Sequence, residues 1–401
     1  MWKRSVLMAG LLAAGIAGQA GAAEKKYGPG ASDTEILIGQ TMPYSGPASA
    51  YGVQGMVQQA YFRKVNEKGG INGRKIRLLS LDDQYSPPKT VEQTRKLVES
   101  EHVLFIYGNV GTPSNTAVHK YLNARKVPQV MISTGARKWN DLKNFPWTMA
   151  FYPSYDMEAH IFARHILKTK PDAKIAILYQ NDDFGRDYLA GFRDGLGDRV
   201  KDMIVAEASY EIADATVDSQ IVKLRASGAD TLFTITTPKF GAQTIRKVYE
   251  LDWKPMHVIV SVSASIGGVL RHAGLDKSKG LITAIAYKTP HDPLWDDAAD
   301  MKEFIAFMEE AGLHERITEG SAIIGYISAV QLHRLLERAG DDLTRENIMK
   351  LATSIDEASL PMLLPGVAVK TTPEDVNAFQ SLRLQTFNGQ SWVLQDELTG
   401  R

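Results

Sequence analysis

The strongest constraint on the fold of this chain is a regular alternation of short apolar segments with longer amphipathic ones. Short apolar runs bounded by Gly, Pro or Ser are typical of buried strands, and the intervening segments have the length and spacing of helices. The first series predicts strands at 35–40, 75–81, 103–107 and 129–133, and helices at 53–66, 89–99 and 114–124. Strands that alternate with helices favour a parallel sheet covered on both faces.

The same alternation returns after the segment Phe151-Tyr152-Pro153. It predicts helices at 157–168, 187–195, 219–227 and 241–251, and strands at 174–179, 204–211, 231–236 and 257–262. A long helix at 321–339 and a strand pair around an Asn388-Gly389 turn, at 382–387 and 392–395, follow. The predicted fold class is therefore α/β, with two doubly wound parallel-sheet lobes. The crevice between two such lobes is the natural place for a ligand.

The N-terminus predicts an export signal at residues 1–22. Lys3 and Arg4 precede an apolar stretch at 6–17, and small residues follow up to Ala22. A membrane anchor would need about 18 or more apolar residues, and this stretch is shorter. We therefore expect cleavage near Ala22 and a protein that works outside the cytoplasm.

Charge and cysteine content restrict the cellular compartment and the classes of partner. Lys and Arg together number 46, as do Asp and Glu, so removing Lys3 and Arg4 leaves 44 against 46 and a net charge near −2. Such a balance does not favour nucleic acid or an anionic membrane surface. The chain has no cysteine, so neither disulfides nor a lipid acceptor at the cleavage site is available. These features predict a periplasmic protein that is not anchored by a lipid.

Loops rich in Gly, Ser and Thr follow the predicted strands. In open parallel sheets, ligands bind beyond the carboxyl ends of the strands, where helix N-termini favour an anion. Each loop alone is equally well explained as a turn or a helix cap. The set as a whole favours an anion site, and its members are 44–47, 108–112, 133–137, 181–185, 236–238 and 261–263.

Several segments, taken in order, resemble one family. They include ILIGQTMPYSGPASAYG, INGRKIRLLSLDD, IYGNVGT, PQVMISTGA and IAILYQNDDFGRDYLAGF, and later YEIADATVDSQIVKLRASGADTLFT and LLPGVAVKTTPEDVNAFQSLRLQTFNGQSW. The chain resembles the type I periplasmic solute-binding proteins of ABC importers, in the branched-chain amino acid (leucine-isoleucine-valine) group. The resemblance implies two lobes joined by a three-strand hinge that close over a small solute without catalysis. We expect an N-terminal lobe at 33–151 and 287–357, and a C-terminal lobe at 152–286 and 358–398.

The resemblance also implies roles for individual residues. Tyr51 matches an aromatic contact to the ligand, Thr112 a hydroxyl that holds its carboxylate, and Gly135 a backbone contact to the same group. Phe184 and Thr237 match positions in the second lobe that are often tyrosine. Together with loop residues, the candidate ligand-binding set is Tyr44, Ser45, Tyr51, Asn109, Thr112, Ser133, Thr134, Gly135, Arg137, Tyr152, Phe184, Thr237, Phe240, Ser261 and Ser263.

One departure from the family pattern bears on the ligand. Amino acid binders of this group usually carry a glutamate near the position of Ser261, and residues 258–268 contain no acid. A buried ammonium needs a carboxylate partner, so the missing glutamate favours a carboxylic acid that has no amine. The aromatic residues among the candidates make an aromatic acid, such as a benzoate or a hydroxycinnamate, the leading candidate. Arg137 would suit a carboxylate ligand because a guanidinium can bind a carboxylate through two parallel hydrogen bonds. Two alternatives stay open: Asp182 or Asp183 supplies the missing acid, or Arg137 is a solvated surface residue.

Motifs of catalysis are missing from the sequence. It has no nucleophile elbow and no phosphate loop, and His160 and His165 lack the spacing of a zinc helix. We therefore expect no enzyme activity, no metal and no cofactor. The expected partners are a small carboxylate and the permease of an ABC importer in the inner membrane, with no nucleic acid and a monomeric chain. The alternatives are a binding protein for branched-chain or other hydrophobic amino acids, and an extracytoplasmic sensor domain.

Overall fold

The computed structural model describes residues 25–357 and 359–400, and the predicted export signal lies outside this range. Its strands are β1 (Lys26–Tyr27), β2 (Glu35–Met42), β3 (Lys75–Asp82), β4 (Ile106–Tyr107), β5 (Gln129–Ile132), β6 (Thr148–Ala150), β7 (Ile175–Gln180), β8 (Ile204–Tyr210), β9 (Thr231–Ile235), β10 (Met256–Ile259), β11 (Ile282–Ile285), β12 (Asp342–Leu343), β13 (Asp356–Glu357), β14 (Val369–Lys370), β15 (Ser381–Phe387) and β16 (Trp392–Gly400). Its helices are α1 (Gly52–Glu67), α2 (Pro87–Arg95), α3 (Thr112–Ala124), α4 (Tyr155–Thr169), α5 (Asp183–Leu196), α6 (Val200–Met203), α7 (Asp218–Ala226), α8 (Pro238–Glu250), α9 (Arg271–Ala273), α10 (Ala299–Glu310), α11 (Gly320–Ala339) and α12 (Arg345–Ala352).

The first lobe is built on a five-stranded sheet in the order β3-β2-β4-β5-β6, with every neighbouring pair parallel. β2 lies between β3 and β4, and its Ile36 and Ile38 are almost completely buried, as in strands covered on both faces. The helix α11 packs on this lobe, where Tyr326 lies 5.9 Å from Tyr61 of α1, ring centroid to ring centroid.

The second lobe is built on a seven-stranded sheet in the order β16-β15-β11-β10-β9-β7-β8. The strands from β8 to β11 are parallel, and β15 and β16 add an antiparallel edge. The predicted turn between them is present: the side chain of Asn388 accepts the N–H groups of Gln390 and Ser391 at 2.8 and 2.9 Å. The predicted α/β class with two parallel-sheet lobes is confirmed.

The chain passes between the lobes three times: between β6 and α4, between β11 and α10, and between α12 and β15. The second and third passages contact each other, because the N–H of Lys288 donates to the carbonyl of Met362 at 2.7 Å. The first and third passages also meet, because the rings of Phe151 and Phe379 lie 5.2 Å apart, centroid to centroid. The residue limits given above for each lobe stay a prediction.

Some elements differ from the sequence prediction. The strand predicted at 103–107 is hydrogen-bonded as a strand only over β4, although Val103, Leu104 and Phe105 are fully buried. The sequence pattern predicted a solvated helix face at 302–316, which overlaps α10, but the elements it did not predict include β6, β11 and α12. β6 and β11 are only three and four residues long, which gives no periodic pattern to detect. Within the described residues, no helix has both the length and the apolar character needed to cross a bilayer.

Candidate functional site

A cavity lies between the carboxyl ends of the two sheets. It encloses about 660 Å³ of space, counting solvent at its mouth. Helices α1, α3, α5, α8 and α11 all begin beside it, so that the positive ends of several helix dipoles surround the cavity. Loops that follow strands of both lobes contribute to its wall through Tyr85, Gly111, Ser133, Phe184, Thr237 and Ser261.

Aromatic side chains from both lobes form much of the wall. The rings of Tyr51 and Tyr85 lie 6.4 Å apart, and those of Tyr155 and Phe184 meet edge to face at 5.5 Å. Burial raises the pKa of Tyr51 well above its usual value, so its phenol is neutral. The complete aromatic set is Tyr51, Tyr85, Tyr152, Tyr155, Phe184 and Tyr287.

The position of Tyr85 depends on an unusual backbone and on a glycine. Gln84 and Tyr85 have φ angles of 56° and 58°, in the left-handed region that such residues rarely adopt. Gly111 faces the ring of Tyr85, and a Cβ atom at Gly111 would lie 2.4 Å from that ring. Gly111 also has φ of 97°, so only glycine fits without strain. The strain is located at the cavity, where strained backbone often has a function.

Part of the predicted ligand-binding set lines the cavity. These residues are Tyr51, Ser133, Tyr152, Phe184, Thr237 and Ser261. Four of them already have protein partners: Ser133 Oγ donates to Gln54 Oε1 at 3.0 Å, Thr237 Oγ1 donates to Gln180 Oε1 at 3.0 Å, and the hydroxyls of Tyr152 and Ser261 bond to each other. Their hydroxyl protons are therefore used within the protein.

The hydroxyl pair expected to hold a carboxylate is covered by Tyr155. Thr112 Oγ1 lies 2.6 Å from Thr134 Oγ1, which lies 3.1 Å from the hydroxyl of Tyr155. Gly135 is covered by the same ring, and a Cβ atom there would lie 2.0 Å from the carbonyl oxygen of Pro153. In this structure Thr112, Thr134 and Gly135 support Tyr155 and do not line the cavity.

Three further predicted residues shape the loops of the first lobe. The hydroxyl of Tyr44 lies 2.6 Å from Ser80 Oγ, and Ser45 Oγ donates to Asp82 Oδ2 at 2.5 Å. Asn109 Oδ1 accepts the N–H of Thr41 at 3.0 Å. These bonds tie loops of the first lobe to its strands β3 and β2, and none of the three predicted side chains lines the cavity.

Two predicted residues of the second lobe are buried behind the wall. The ring of Phe240 packs on Tyr210 with 4.3 Å between centroids. Ser263 Oγ donates to the carbonyl of Thr236. Phe240 and Ser263 are completely buried and belong to the packing of the second lobe.

Arg137 lies at the rim of the cleft and faces carboxylates of the other lobe. Its Nε lies 3.1 Å from Asp187 Oδ1, and a terminal nitrogen lies 3.2 Å from Asp194 Oδ2. Beside it, Lys138 Nζ lies 2.5 Å from Asp183 Oδ2. We call these five residues the rim cluster. Arg137 therefore joins the lobes, and neither Arg, Lys nor His occurs among the described residues that line the cavity.

A buried carboxylate lies directly behind Ser261, although it comes from a different element. Glu158 of α4 accepts the N–H of Ser261 at 2.7 Å through Oε1. Its Oε2 accepts hydrogen bonds from the hydroxyl of Ser261 at 2.7 Å and from the hydroxyl of Tyr188 at 2.8 Å. Burial raises the pKa of Glu158 to about 7. Residues 258–268 contain no acid, but the carboxylate beside Ser261 comes from α4, 103 residues away in the chain.

A second acid, Glu319, lines the cavity itself. One of its oxygens accepts a hydrogen bond from a terminal nitrogen of Arg316 at 2.8 Å, and Glu319 is 7% exposed. Beside it, Ser265 Oγ accepts the N–H groups of Gly268 and Gly320 at 2.9 and 3.0 Å. Because both interactions use lone pairs of Ser265, its hydroxyl proton remains available to an acceptor in the cavity.

Sequence reasoning missed several lining residues, namely Gln54, Tyr85, Tyr155, Ser265, Tyr287 and Glu319. Tyr85 and Tyr287 follow the ends of β3 and β11, and that position after a strand is a signal present in the sequence. Among the described residues, no group of three or more metal-binding side chains lies close enough together to hold an ion.

Comparisons with known proteins agree with this architecture. The family model described as periplasmic binding protein matches residues 35–391. A curated relative, the Leu/Ile/Val-binding protein homolog 1 of Brucella abortus, is 25% identical over 211 residues, which cover 51% of this chain and 54% of that protein. The match thus spans about half the length of that curated relative.

Two solved structures share the fold. A branched-chain amino acid ABC transporter protein from Thermus thermophilus, with bound valine, has a TM-score of 0.81 at 16% identity and covers 92% of this chain and 97% of its own. A solute-binding protein from R. palustris, in complex with 4-hydroxybenzoate, has a TM-score of 0.76 at 18% identity. The match covers 91% of this chain and 97% of the R. palustris chain. At these identities the likeness concerns the fold alone.

The family match extends over both lobes and includes every loop that lines the cavity between them. The chain therefore belongs to the periplasmic binding protein family.

Proposed function

We propose that this protein is the periplasmic solute-binding component of an ABC importer and captures a small aromatic carboxylate between its two lobes. The observation that carries the proposal is the aromatic wall, to which both lobes contribute. Tyr51 and Tyr85 belong to the first lobe, and Phe184 to the second. A flat ring between them buries apolar area on both faces, and each aromatic contact adds about 0.5–1.5 kcal/mol.

Neutral donors are suited to hold the carboxylate. Ser265 has a hydroxyl proton available, and Gly320 beside it is the first residue of the 20-residue helix α11, whose positive end favours an anion. The hydroxyls of Tyr51 and Tyr287 have no hydrogen-bond partner among the described residues and can also donate. In a buried site such donors replace water without the desolvation of a cationic side chain.

A second candidate, an amino acid, is favoured by Glu319. One oxygen of this buried carboxylate is taken by Arg316, and the other has no partner among the described residues. It is thus able to receive an ammonium group, a role that the sequence argument had denied to residues 258–268. The related fold from T. thermophilus holds valine and that from R. palustris holds 4-hydroxybenzoate, so the fold accommodates either class.

Calorimetry and thermal shift with two ligand panels separate these candidates. The panels are benzoates with hydroxycinnamates, and leucine with valine. A ligand at about one hundred times its Kd should add about 2.7 kcal/mol of stability. We expect stabilisation by aromatic acids. Stabilisation by leucine or valine alone would refute the aromatic proposal.

The variant Glu319→Gln tests independently whether the ligand is an amino acid or an aromatic acid. It should abolish binding of an amino acid, because the ammonium loses its counter-charge, and leave an aromatic acid bound equally well or better. Glu315→Gln is the matched control, since Glu315 lies four residues away and is exposed.

Location and partners form part of the same proposal. The export signal predicted at 1–22 would bring the chain to the periplasm, where the closed form would dock on a permease of the inner membrane as a monomer. Ligand binding would favour closure only as far as the ligand prefers the closed state. Pull-down of the permease with ligand-loaded but not ligand-free protein would support the transport role.

A further inference from the structure

The second-lobe wall of the cavity contains a chain of hydrogen bonds that runs from Tyr152 through Ser261 to Glu158. The hydroxyl of Tyr152 lies 3.0 Å from Ser261 Oγ, which lies 2.7 Å from Glu158 Oε2. Tyr152 and Ser261 line the cavity, whereas Glu158 is fully buried behind them. We call these three residues the acceptor relay.

The direction of each proton in the relay follows from the number of donors. An ionised carboxylate can only accept, and Glu158 receives the N–H of Ser261, the hydroxyl of Ser261 and the hydroxyl of Tyr188. Ser261 has a single hydroxyl proton, and that proton is directed to Glu158. Tyr152 must therefore donate its own proton to Ser261.

Consequently, both oxygens that the relay presents to the cavity have only lone pairs to offer. No donor among the described residues reaches the hydroxyl oxygen of Tyr152. A buried acceptor that lacks a donor is unfavourable, so a ligand that brings an O–H or N–H group gains a bond there. Ser265 has the opposite polarity, since its proton is available to the cavity.

We infer that the acceptor relay is a subsite that selects small carboxylates carrying an additional hydrogen-bond donor, either a hydroxyl or an amino group. Ser265 would serve the carboxylate, and Tyr152 with Ser261 would serve the donor. Glu158 touches no ligand and acts as a positioning residue that fixes the proton of Ser261. The inference rests on the proposed function, because it presumes a carboxylate in this cavity.

Matched ligand pairs test the subsite with the unmodified protein. Each hydroxybenzoate isomer is compared with the fluorobenzoate substituted at the same carbon, since fluorine has nearly the size of a hydroxyl and cannot donate. At about pH 8, where Glu158 is mostly ionised, the best hydroxybenzoate should bind about ten-fold tighter than its fluoro partner. A ratio below about three for every isomer would overturn the inference.

Two variants should remove this preference while leaving the ring contacts in place. Tyr152→Phe deletes the acceptor oxygen and keeps the aromatic ring. Glu158→Gln supplies an amide that donates to Ser261 and releases the serine proton toward the cavity. The ratio between hydroxyl and fluoro ligands should fall to about one in Glu158→Gln and below about three in Tyr152→Phe, where Ser261 Oγ still accepts.

The affinity ratio distinguishes positioning from general support, because a merely structural loss weakens both ligands alike. Tyr249→Phe is the control, since Tyr249 is 56% exposed and should keep the full ratio. If Glu158→Gln does not fold, Tyr152→Phe decides alone. An unchanged ratio in Tyr152→Phe would overturn the inference.

Failure of this inference and failure of the proposed function give different results. If benzoates bind without regard to the hydroxyl, the function stands and the subsite is refuted. If only amino acids bind, the aromatic proposal fails and the subsite is tested by leucine against 4-methylpentanoate, which lacks the amine. Leucine should then bind about ten-fold tighter or more, and Tyr152→Phe should lower that ratio; an unchanged ratio in the variant would refute the subsite, because Glu319 alone would then hold the ammonium. Binding of none of these compounds would overturn both proposals.

Discussion

The two lobes meet in two places that are chemically opposite. In the cavity, aromatic rings and neutral hydroxyls face each other, and no basic side chain is present among the described lining residues. At the rim cluster, Arg137 and Lys138 of one lobe face Asp183, Asp187 and Asp194 of the other. Both regions join the lobes, but only one of them encloses space for a ligand.

The difference shows why basic residues near a binding loop need not bind the ligand. A guanidinium in the cavity would lose its hydration, whereas at the rim Arg137 is 43% exposed and keeps part of its water. Exposed ion pairs contribute little free energy each, typically about 0.2–1 kcal/mol, so the rim cluster can adjust closure without locking it. Ligand affinity must then come from the cavity.

The largest expected effect concerns Glu158, on the cavity side of this comparison. Burial raises its pKa to about 7 from an ordinary value of 4.5, so the unfolded chain releases this proton at a lower pH than the folded protein does. The contribution of Glu158 to stability is therefore fully present below pH 4.5 and is lost as the pH rises through about 7. The loss amounts to about 3 kcal/mol, since each pKa unit corresponds to about 1.4 kcal/mol.

Chemical denaturation of the wild type and of Glu158→Gln measures this effect. Between about pH 5 and pH 8, the stability of the variant relative to wild type should rise by about 2–3 kcal/mol. The exposed Glu67, changed to Gln, is the control variant. A constant difference for Glu158→Gln would show that water reaches this carboxylate and that the cavity wall is not sealed there.

The next largest effect concerns Gly111, in the first-lobe wall. In Gly111→Ala the new Cβ lies 2.4 Å from the ring of Tyr85 and the residue keeps a φ of 97°. We expect a stability loss of about 2 kcal/mol and roughly ten-fold weaker ligand binding, because the ring must move. Denaturation and calorimetry give the two quantities separately.

Gly73→Ala is a matched control for backbone strain. Gly73 has φ of 77° and no atom within 4 Å of its notional Cβ, so it shares the strain but not the clash. It should lose stability and keep its ligand affinity. If Gly111→Ala binds ligand like the wild type, the position of Tyr85 does not matter to binding.

The fold was largely predictable from the sequence because its elements have local signals. Buried runs such as β2 and β7, separated by amphipathic helices, need no tertiary information to recognise. The Asn388-Gly389 turn was predictable for the same reason, since the asparagine side chain bonds to its own loop. Short strands such as β6 and β11 were missed because only their neighbours define them.

The site was less predictable because its residues act through partners distant in the chain. Thr112 lies on a predicted loop, yet Tyr155 from another lobe covers it. Glu158 lies behind Ser261 although 103 residues separate them. Arg137 is adjacent to a lining loop in sequence, but the carboxylates of α5 hold it outside. A local pattern cannot reveal such pairings.

The smallest expected effect concerns the rim cluster and completes the comparison. Arg137→Ala removes two ion pairs between the lobes and touches nothing in the cavity. Because exposed pairs are weak, the closed state should lose about 0.5–1 kcal/mol, and ligand affinity should fall about two- to five-fold. The loss should shrink in about 1 M salt, which screens exposed charges. Arg125→Ala is the control, since Arg125 pairs with Glu99 inside one lobe and its loss should leave affinity unchanged. A loss of affinity for Arg137→Ala that exceeds about ten-fold and resists salt would instead place the guanidinium on the ligand.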